Sequence, residues 1–252
     1  MKIEVFGKSI KGRRDSNQDK IYFSSKKDGF MLAVADGVGG NFGGETASKT
    51  AICQCKKYFN EFLKDPGEFK LKQVIKDIYM ASVREITRTI HDKELLKNMG
   101  TTLTIVLGYK NKYVVGNIGD SRTYLIRDFH LNQITQDHSY LKEYQAKFPD
   151  EKIDGALKMQ LGHIITRSIN SKEEVIDIFP KDAMAYKLAD RDLLLLCSDG
   201  LIIDDLTETR DFPESLIKTE KKVDKLVNRL IELAFEKGSR DNISVVIGRW
   251  CE

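Results

Sequence analysis

The sequence predicts an α+β fold built from antiparallel β-sheets and a few long helices. Short runs rich in Val, Ile, Leu and Tyr recur with turn residues between them, and most neighbouring runs are close enough to form hairpins. Three longer stretches instead carry apolar residues at helical spacing. Because strands and helices do not alternate regularly, separate layers of sheet and helix are favoured over βαβ units.

The predicted strands are apolar runs bounded by turn residues. They are IEVFG at 3–7, KIYFS at 20–24, FMLAVA at 30–35, TTLTIVLGY at 101–109, KYVVGNI at 112–118, RTYLIR at 122–127, LLLLC at 193–197 and ISVVIGRW at 243–250. Two of these runs, FMLAVA and LLLLC, are apolar at every position, which is typical of buried strands.

Helical spacing of apolar residues predicts helices over 45–63, 71–90 and 222–237. Gly238 is well placed to end the last of these helices as a C-cap. The segment 138–180 is polar and mixed, with one short predicted helix around 139–147. No repeat, low-complexity tract or linker divides the chain, so we expect a single domain over residues 1–252.

Composition excludes several classes of protein. The 252 residues carry a net charge of +3, and their basic side chains are spread among acidic ones, so no nucleic-acid footprint is present. No signal-peptide core and no apolar run of membrane-spanning length is found, which predicts no membrane association. The cysteines have neither disulfide-framework nor zinc spacing. We therefore expect reduced thiols in a cytoplasmic protein.

Five aspartates stand at predicted strand ends or turns: Asp19, Asp36, Asp120, Asp199 and Asp241. If the sheets bring these ends together, several carboxylates meet in one cleft, where they cannot all stay ionised without a counter-cation. Oxygen ligands of this kind select Mg²⁺ or Mn²⁺ over zinc. The alternative is that each is an ordinary turn residue, since Asp-Gly is a common turn pair.

A glycine-rich loop follows Asp36, with five glycines between residues 37 and 44. The loop matches neither the Walker pattern nor G-x-G-x-x-G, so a nucleotide-binding fingerprint is excluded. It predicts instead a stretch where backbone approaches a neighbour closely or takes positive φ, before a helix that starts near Glu45.

Eight motifs together resemble the metal-dependent protein phosphatase family, also called protein phosphatase 2C-like, and its bacterial branch in particular. In chain order they are GRRDSNQD, LAVADGVGG, GTTLTIVL, GNIGDSRTYLI, TQDHS, ITRSI, LLLLCSDGL and GSRDNISVVI, and the resemblance extends from about residue 5 to 249. It implies a sandwich of two antiparallel β-sheets flanked by helices on both sides. It also implies hydrolysis of protein phosphoserine and phosphothreonine with two Mn²⁺ or Mg²⁺ ions.

The resemblance assigns roles to individual positions. Asp36 would bridge both ions, with the Gly37 carbonyl completing one coordination sphere, and Asp199 and Asp241 would hold one ion. Asp19 lies in the motif that supports the other ion, largely through water, and Asp120 resembles the ligand of a third, weaker ion.

Arg14 stands in the place of the phosphate-binding arginine. It lies three residues before Asn17, as the family motif requires. Arg13 is adjacent, and the sequence leaves open that Arg13 binds the phosphate instead of Arg14.

Two positions depart from the family pattern. Gln18 stands where many members have Glu, so we expect weaker binding at one ion. Val38 stands where animal members carry a histidine thought to act as general acid. His138 and His163, in or beside the flap-like segment 138–180, are alternatives for that role.

The leading hypothesis is thus a monomeric Mn²⁺- or Mg²⁺-dependent serine/threonine phosphatase that acts on phosphorylated proteins and opposes a bacterial kinase. One alternative is a domain that binds phosphoproteins without turnover, which would be expected to have lost a metal ligand. The other is a hydrolase of small phosphoesters, because substrate choice depends on residues near 138–180.

Overall fold

The computed structural model describes residues 2–39, 41–92, 96, 98–151, 153–162, 164–172, 175–201, 216–217, 220 and 222–251. Within this part of the chain, no helix combines the length and the apolar character needed to cross a lipid bilayer. Each of the four cysteines is a free thiol in the structure.

Most of the described chain forms strands and long helices. The strands are β1 (Lys2–Ile10), β2 (Lys20–Lys26), β3 (Gly29–Ala35), β4 (Gly37–Val38), β5 (Gly100–Thr101), β6 (Leu103–Tyr109), β7 (Lys112–Ile118), β8 (Arg122–Arg127), β9 (His130–Gln133), β10 (Asp177–Phe179), β11 (Tyr186–Lys187), β12 (Leu193–Cys197) and β13 (Ile243–Cys251). The helices are α1 (Asn41–Phe62), α2 (Leu71–Asp92), α3 (Tyr140–Lys147), α4 (Gly155–Gly162) and α5 (Val223–Glu236).

The strands form two large sheets and one small one. Sheet A has the strand order β1-β13-β12-β8-β9, and sheet B has the order β10-β7-β6-β3-β2, with β11 also paired to β7. Strands β4 and β5 form a separate two-stranded sheet. Every described strand pair is antiparallel, as the hairpin spacing predicts.

The two large sheets pack face to face and are covered by helices on their outer sides. In β3, Phe30 and Leu32 face the apolar core between the sheets, whereas Met31 and Ala33 face the core under α1 and α2. A third core lies between sheet A and α5. Side chains alternate between the two faces of a strand, so strands buried on both faces are apolar throughout. The α-β-β-α sandwich is therefore confirmed.

Two differences from the predicted boundaries bear on the site. Helix α1 begins at Asn41, not near Glu45, so Gly43 and Gly44 lie in its first turn. A Cβ on Gly44 would lie 2.2 Å from the Gln18 side-chain oxygen and 2.7 Å from Gly37 backbone atoms. The glycines thus allow the helix to pack closely on the loop after β3, as the close-approach interpretation expects.

The predicted strand 101–109 is interrupted at Thr102, which separates β5 from β6. The Thr102 N–H donates to the carbonyl of Asp36 at 2.8 Å. The interruption therefore places β5 beside β4, directly after Asp36.

Candidate active site

The strand register brings the predicted aspartates to one end of the sandwich. Lys20 pairs with Ala35, so the aspartates that precede β2 and follow β3 lie side by side. Cys197 pairs with both Arg122 and Val245, which brings the turns next to β8, β12 and β13 together. The aspartates that meet there are Asp19, Asp36, Asp120, Asp199 and Asp241.

A cavity of about 920 Å³ opens at this end of the fold. Four of the five aspartates line it, together with Gly37, Gln18 and Arg14. The fifth, Asp19, is 1% exposed and lies behind the wall. Arg13 does not line the cavity, and its guanidinium lies over the ring of Phe235, 5.7 Å from the centroid. The position of Arg14 thus favours it over Arg13 for phosphate binding.

The backbone of Asp36 is held by two threonines. Its N–H donates to Thr102 Oγ1 at 2.9 Å, and its carbonyl accepts from Thr101 Oγ1 at 2.9 Å and from the Thr102 N–H. Thr102 Oγ1 also shares a hydrogen bond of 2.7 Å with Ser121 Oγ. This network fixes where the Asp36 carboxylate leaves the sheet and connects it to the turn that carries Asp120.

The Asp36 carboxyl is strongly perturbed. Burial raises its pKa well above the usual range, and repulsion from Asp19, Asp199, Asp120 and Asp241 raises it further. Repulsion from four neighbours indicates that the five side chains lie close together.

Two serines hold Asp19. Its Oδ2 accepts from Ser198 Oγ at 2.8 Å and from Ser244 Oγ at 2.7 Å, at the ends of β12 and β13. Burial raises the pKa of Asp19 to about 6, although these two hydrogen bonds favour the ionised form. The sequence predicted neither serine as a partner of Asp19, because a strand pattern does not show which polar side chain meets a carboxylate.

Asp120 occupies the turn between β7 and β8. Burial and repulsion from Asp199 raise its pKa to about 8. The turn is fixed by Arg122, whose Nε and Nη2 donate to the Asp137 carboxylate at 2.7 to 3.1 Å. His138 adds a second contact, because its Nδ1 accepts from the Gly119 N–H at 3.1 Å.

Protein groups occupy both carboxylate oxygens of Asp241. Arg14 Nη2 donates to Oδ2 at 2.6 Å, and the N–H of Asn242 donates to Oδ1 at 2.7 Å. Asn242 in turn fixes the loop that carries Arg14. Its Nδ2 donates to the carbonyls of Lys11 and Ser16, both at 2.8 Å, and its Oδ1 accepts from the Gln18 N–H.

Comparison with known proteins identifies the family. The family profile "Protein phosphatase 2C" matches residues 6–233. The chain belongs to the protein phosphatase 2C family. This confirms the resemblance that the eight motifs carry.

Curated relatives of the chain are bacterial phosphatases. It is 32% identical over 236 residues to the serine/threonine protein phosphatase PstP of Mycobacterium tuberculosis, covering 93% of this chain and 42% of PstP. The chain thus spans less than half the length of that relative. It is 29% identical over 239 residues to the serine/threonine phosphatase stp of Listeria welshimeri, covering 93% of this chain and 90% of stp.

Solved structures share the fold. The crystal structure of M. tuberculosis PstP superposes with a TM-score of 0.82 at 28% identity, covering 100% of both chains. A second PstP structure, of the catalytic domain in complex with two manganese ions, gives a TM-score of 0.81 at 28% identity, covering 100% of this chain and 99% of that one. Staphylococcus aureus Stp1, 24% identical, supports the fold alone, with a TM-score of 0.85 and 100% and 96% coverage.

The residues of this protein phosphatase 2C site fit hard divalent cations. Among the described residues, Asp19 Oδ1 and Asp120 Oδ1 are buried without a hydrogen-bond partner, which is costly unless a cation meets them. No described group of three or more His, Cys, Asp and Glu side chains forms a complete ligand cluster. The carboxylate of Asp241 is bound to Arg14 and to the backbone of Asn242. The oxygens fit Mn²⁺ or Mg²⁺ if Arg14 releases Asp241.

Neither candidate for the general acid gains support from the described structure. His138 is 1% exposed, and burial lowers its pKa. Its Nδ1 accepts from Gly119 and its Nε2 lies 3.1 Å from Asp177 Oδ2, so both ring nitrogens are occupied away from the cavity. Val38 does line the cavity but supplies no proton. His163 lies outside the described residues.

Proposed function

We propose that the chain hydrolyses phosphoserine and phosphothreonine in proteins, with two Mn²⁺ or Mg²⁺ ions as cofactors. The family and the two manganese ions in the PstP structure support the reaction class. The observation that carries the proposal is the meeting of five aspartates, spread over more than 200 residues of sequence, at one end of the sandwich.

The ligand assignments follow the family resemblance, and the positions of Asp36, Gly37, Asp120, Asp199 and Asp241 in the cavity lining support them. We assign Asp36, the Gly37 carbonyl, Asp199 and Asp241 to the two ions, with Asp19 behind them orienting bound water. Asp120 is assigned to a third, weaker ion. When bound, two such ions supply a water whose pKa is lowered to about 7, so that a nucleophile is available at neutral pH.

The protein groups supply binding and orientation. The guanidinium of Arg14 is suited to grip two phosphoryl oxygens at once, which neutralises their charge and fixes the phosphorus toward the aspartates. No serine of the described cavity lining is assigned as a nucleophile, and the Oγ of Ser239 is engaged with the carbonyl of Gly200. Thr101 and Thr102 act through Asp36, whose backbone they hold.

The proposal also covers the domain organisation, the substrates and the cellular location of the protein. Residues 1–252 are proposed to act as one phosphatase domain, with the segment near 138–180 serving as a flap toward the substrate. Activity as a monomer is part of the proposal. The proposed substrates are proteins that a serine/threonine kinase has phosphorylated in the cytoplasm.

The proposal is tested with a phosphothreonine peptide and purified protein. We expect phosphate release with Mn²⁺ and none after complete chelation. Asp36→Asn should abolish the reaction, whereas Asp182→Asn, which removes the same charge at an exposed position, should not. Activity that survives chelation, or an active Asp36→Asn variant, would refute the assignment.

A further inference from the structure

Arg240 is the second basic side chain of the catalytic cavity. Among the described lining residues, only Arg14 and Arg240 are basic, against five aspartates. Arg14 is hydrogen-bonded to Asp241. Arg240 is exposed and has no hydrogen-bond or ion-pair partner in the part of the chain that the structure describes. The guanidinium of Arg240 thus faces the cavity with no acidic partner among the residues that the structure describes.

The backbone on the N-terminal side of Arg240 is rigidly held. Helix α5 ends in a Schellman motif, in which the Ser239 N–H donates to the Ala234 carbonyl at 3.0 Å and the Gly238 N–H to the Phe235 carbonyl at 3.0 Å. Gly238 takes φ +88°, which favours glycine there. Ser239 Oγ also donates to the carbonyl of Gly200 at 2.8 Å, directly after Asp199.

The backbone on the other side is held as well. Asn242 is hydrogen-bonded to the loop of residues 11–18. Close backbone packing supports the same contact, since a Cβ on Gly12 would lie 1.9 Å from the Asp241 carbonyl oxygen. Arg240 is therefore an exposed side chain on a fixed backbone, which limits the entropy lost when it binds a ligand.

The position of Arg240 limits what it can contact. Its Cα is one residue, about 3.8 Å, from that of Asp241, which is a proposed ligand at the phosphoryl centre. An extended substrate chain advances about 3.3 Å per residue, so Arg240 would meet groups within about three residues of the phosphorylated one. A guanidinium binds carboxylates through paired hydrogen bonds.

We propose that Arg240 is a specificity-determining residue that binds an acidic side chain flanking the phosphorylated residue of the substrate. This inference rests on the proposed function and deepens it. Arg14 takes the phosphoryl group, whereas Arg240 selects among peptide sequences around it. The site therefore prefers phosphothreonine followed or preceded closely by Asp or Glu over the same peptide with neutral flanks.

The test compares two phosphothreonine peptides that differ only by Asp or Ala at the flanking positions. In the parent, kcat/KM should be higher for the acidic peptide, mainly through a lower KM. Arg240→Ala should reduce this preference about two- to fivefold, as expected for an exposed ion pair. Arg240→Glu should invert it toward a lysine-flanked peptide. Arg88→Ala, which removes an exposed arginine on α2, is the matched control and should leave the preference unchanged.

The outcomes separate this inference from the proposed function. An equal loss on acidic and neutral peptides would mean that Arg240 acts on the phosphoryl group or the loop, and would overturn the inference. An unchanged preference would overturn it too. If the parent hydrolyses neither peptide, the proposed function fails, and fluorescence anisotropy of the same labelled peptides still measures whether Arg240 selects acidic flanks.

Discussion

The Nη2 atom of Arg14 lies 2.6 Å from Oδ2 of Asp241, so the proposed phosphate-binding arginine and a proposed metal ligand are paired with each other. Asp241 first, and then Asp199 and Asp36, raise the pKa of Arg14. The guanidinium thus supplies part of the positive charge that the cluster needs in the absence of metal. A cation that ligates Asp241 would displace it and leave it available to phosphate.

Arg14→Ala should therefore separate metal binding from phosphate binding. Without the arginine, Asp241 is not occupied by a competing cation, so we expect Mn²⁺ to bind more tightly. The gain should be at most about fivefold, because the pair is solvent-exposed. Hydrolysis of a phosphopeptide should nevertheless fall sharply. Isothermal titration with Mn²⁺ measures the first effect, and weaker Mn²⁺ binding by the variant would contradict the competition.

Asp199→Ala should reduce the stabilisation that Mn²⁺ gives to the folded protein. A ligand that binds only the folded state stabilises it by about 2.7 kcal/mol at 100 times its dissociation constant. A variant that lacks a ligand should gain clearly less at the same Mn²⁺ concentration. The melting temperature with and without Mn²⁺ measures this. Asp182→Ala, at an exposed position, is the control, and equal stabilisation of Asp199→Ala and the parent would exclude Asp199 as a ligand.

Long elements could be predicted from sequence because periodicity defines them. The strands over 112–118, 122–127 and 193–197 match the structure, and the apolar stripe of α5 is buried throughout. Short elements such as β4 and β5 span two residues, too few for any period to show.

The site was only partly predictable for a different reason. Aspartates at strand ends are visible in the sequence, but their convergence depends on strand order and register, which residue spacing does not determine. The family resemblance implied that these aspartates share one metal site. The role of each aspartate in that site stays a prediction. The hydrogen bonds from Thr101 and Ser244 had no sequence signal, since threonine and serine are ordinary strand residues.

Asp120→Asn should reveal the raised pKa of Asp120 through the stability of metal-free protein. A carboxyl whose pKa is about 8 when folded and about 3.9 when unfolded binds more protons in the folded state, so the parent loses stability as pH rises between these values. Asn stays neutral and avoids this loss. In chelator, the melting temperature of the variant relative to the parent should therefore increase from pH 5 to pH 8. A constant or decreasing difference would contradict the burial and repulsion assigned to Asp120.

Gln18→Glu should strengthen metal binding and lower the stability of the metal-free protein. Gln18 lines the cavity, and its backbone is fixed by hydrogen bonds to Asn242 and Ser48, so a carboxylate at this position is held near the aspartates. With Mn²⁺ the added charge attracts cation, and we expect a lower dissociation constant. Without metal it increases the repulsion among carboxylates, and the melting temperature in chelator should fall. Gln54→Glu makes the same charge change on α1, outside this cavity, and should alter neither quantity. If Gln18→Glu left Mn²⁺ affinity at the parent value, the amide would not be the cause of weak binding at either ion.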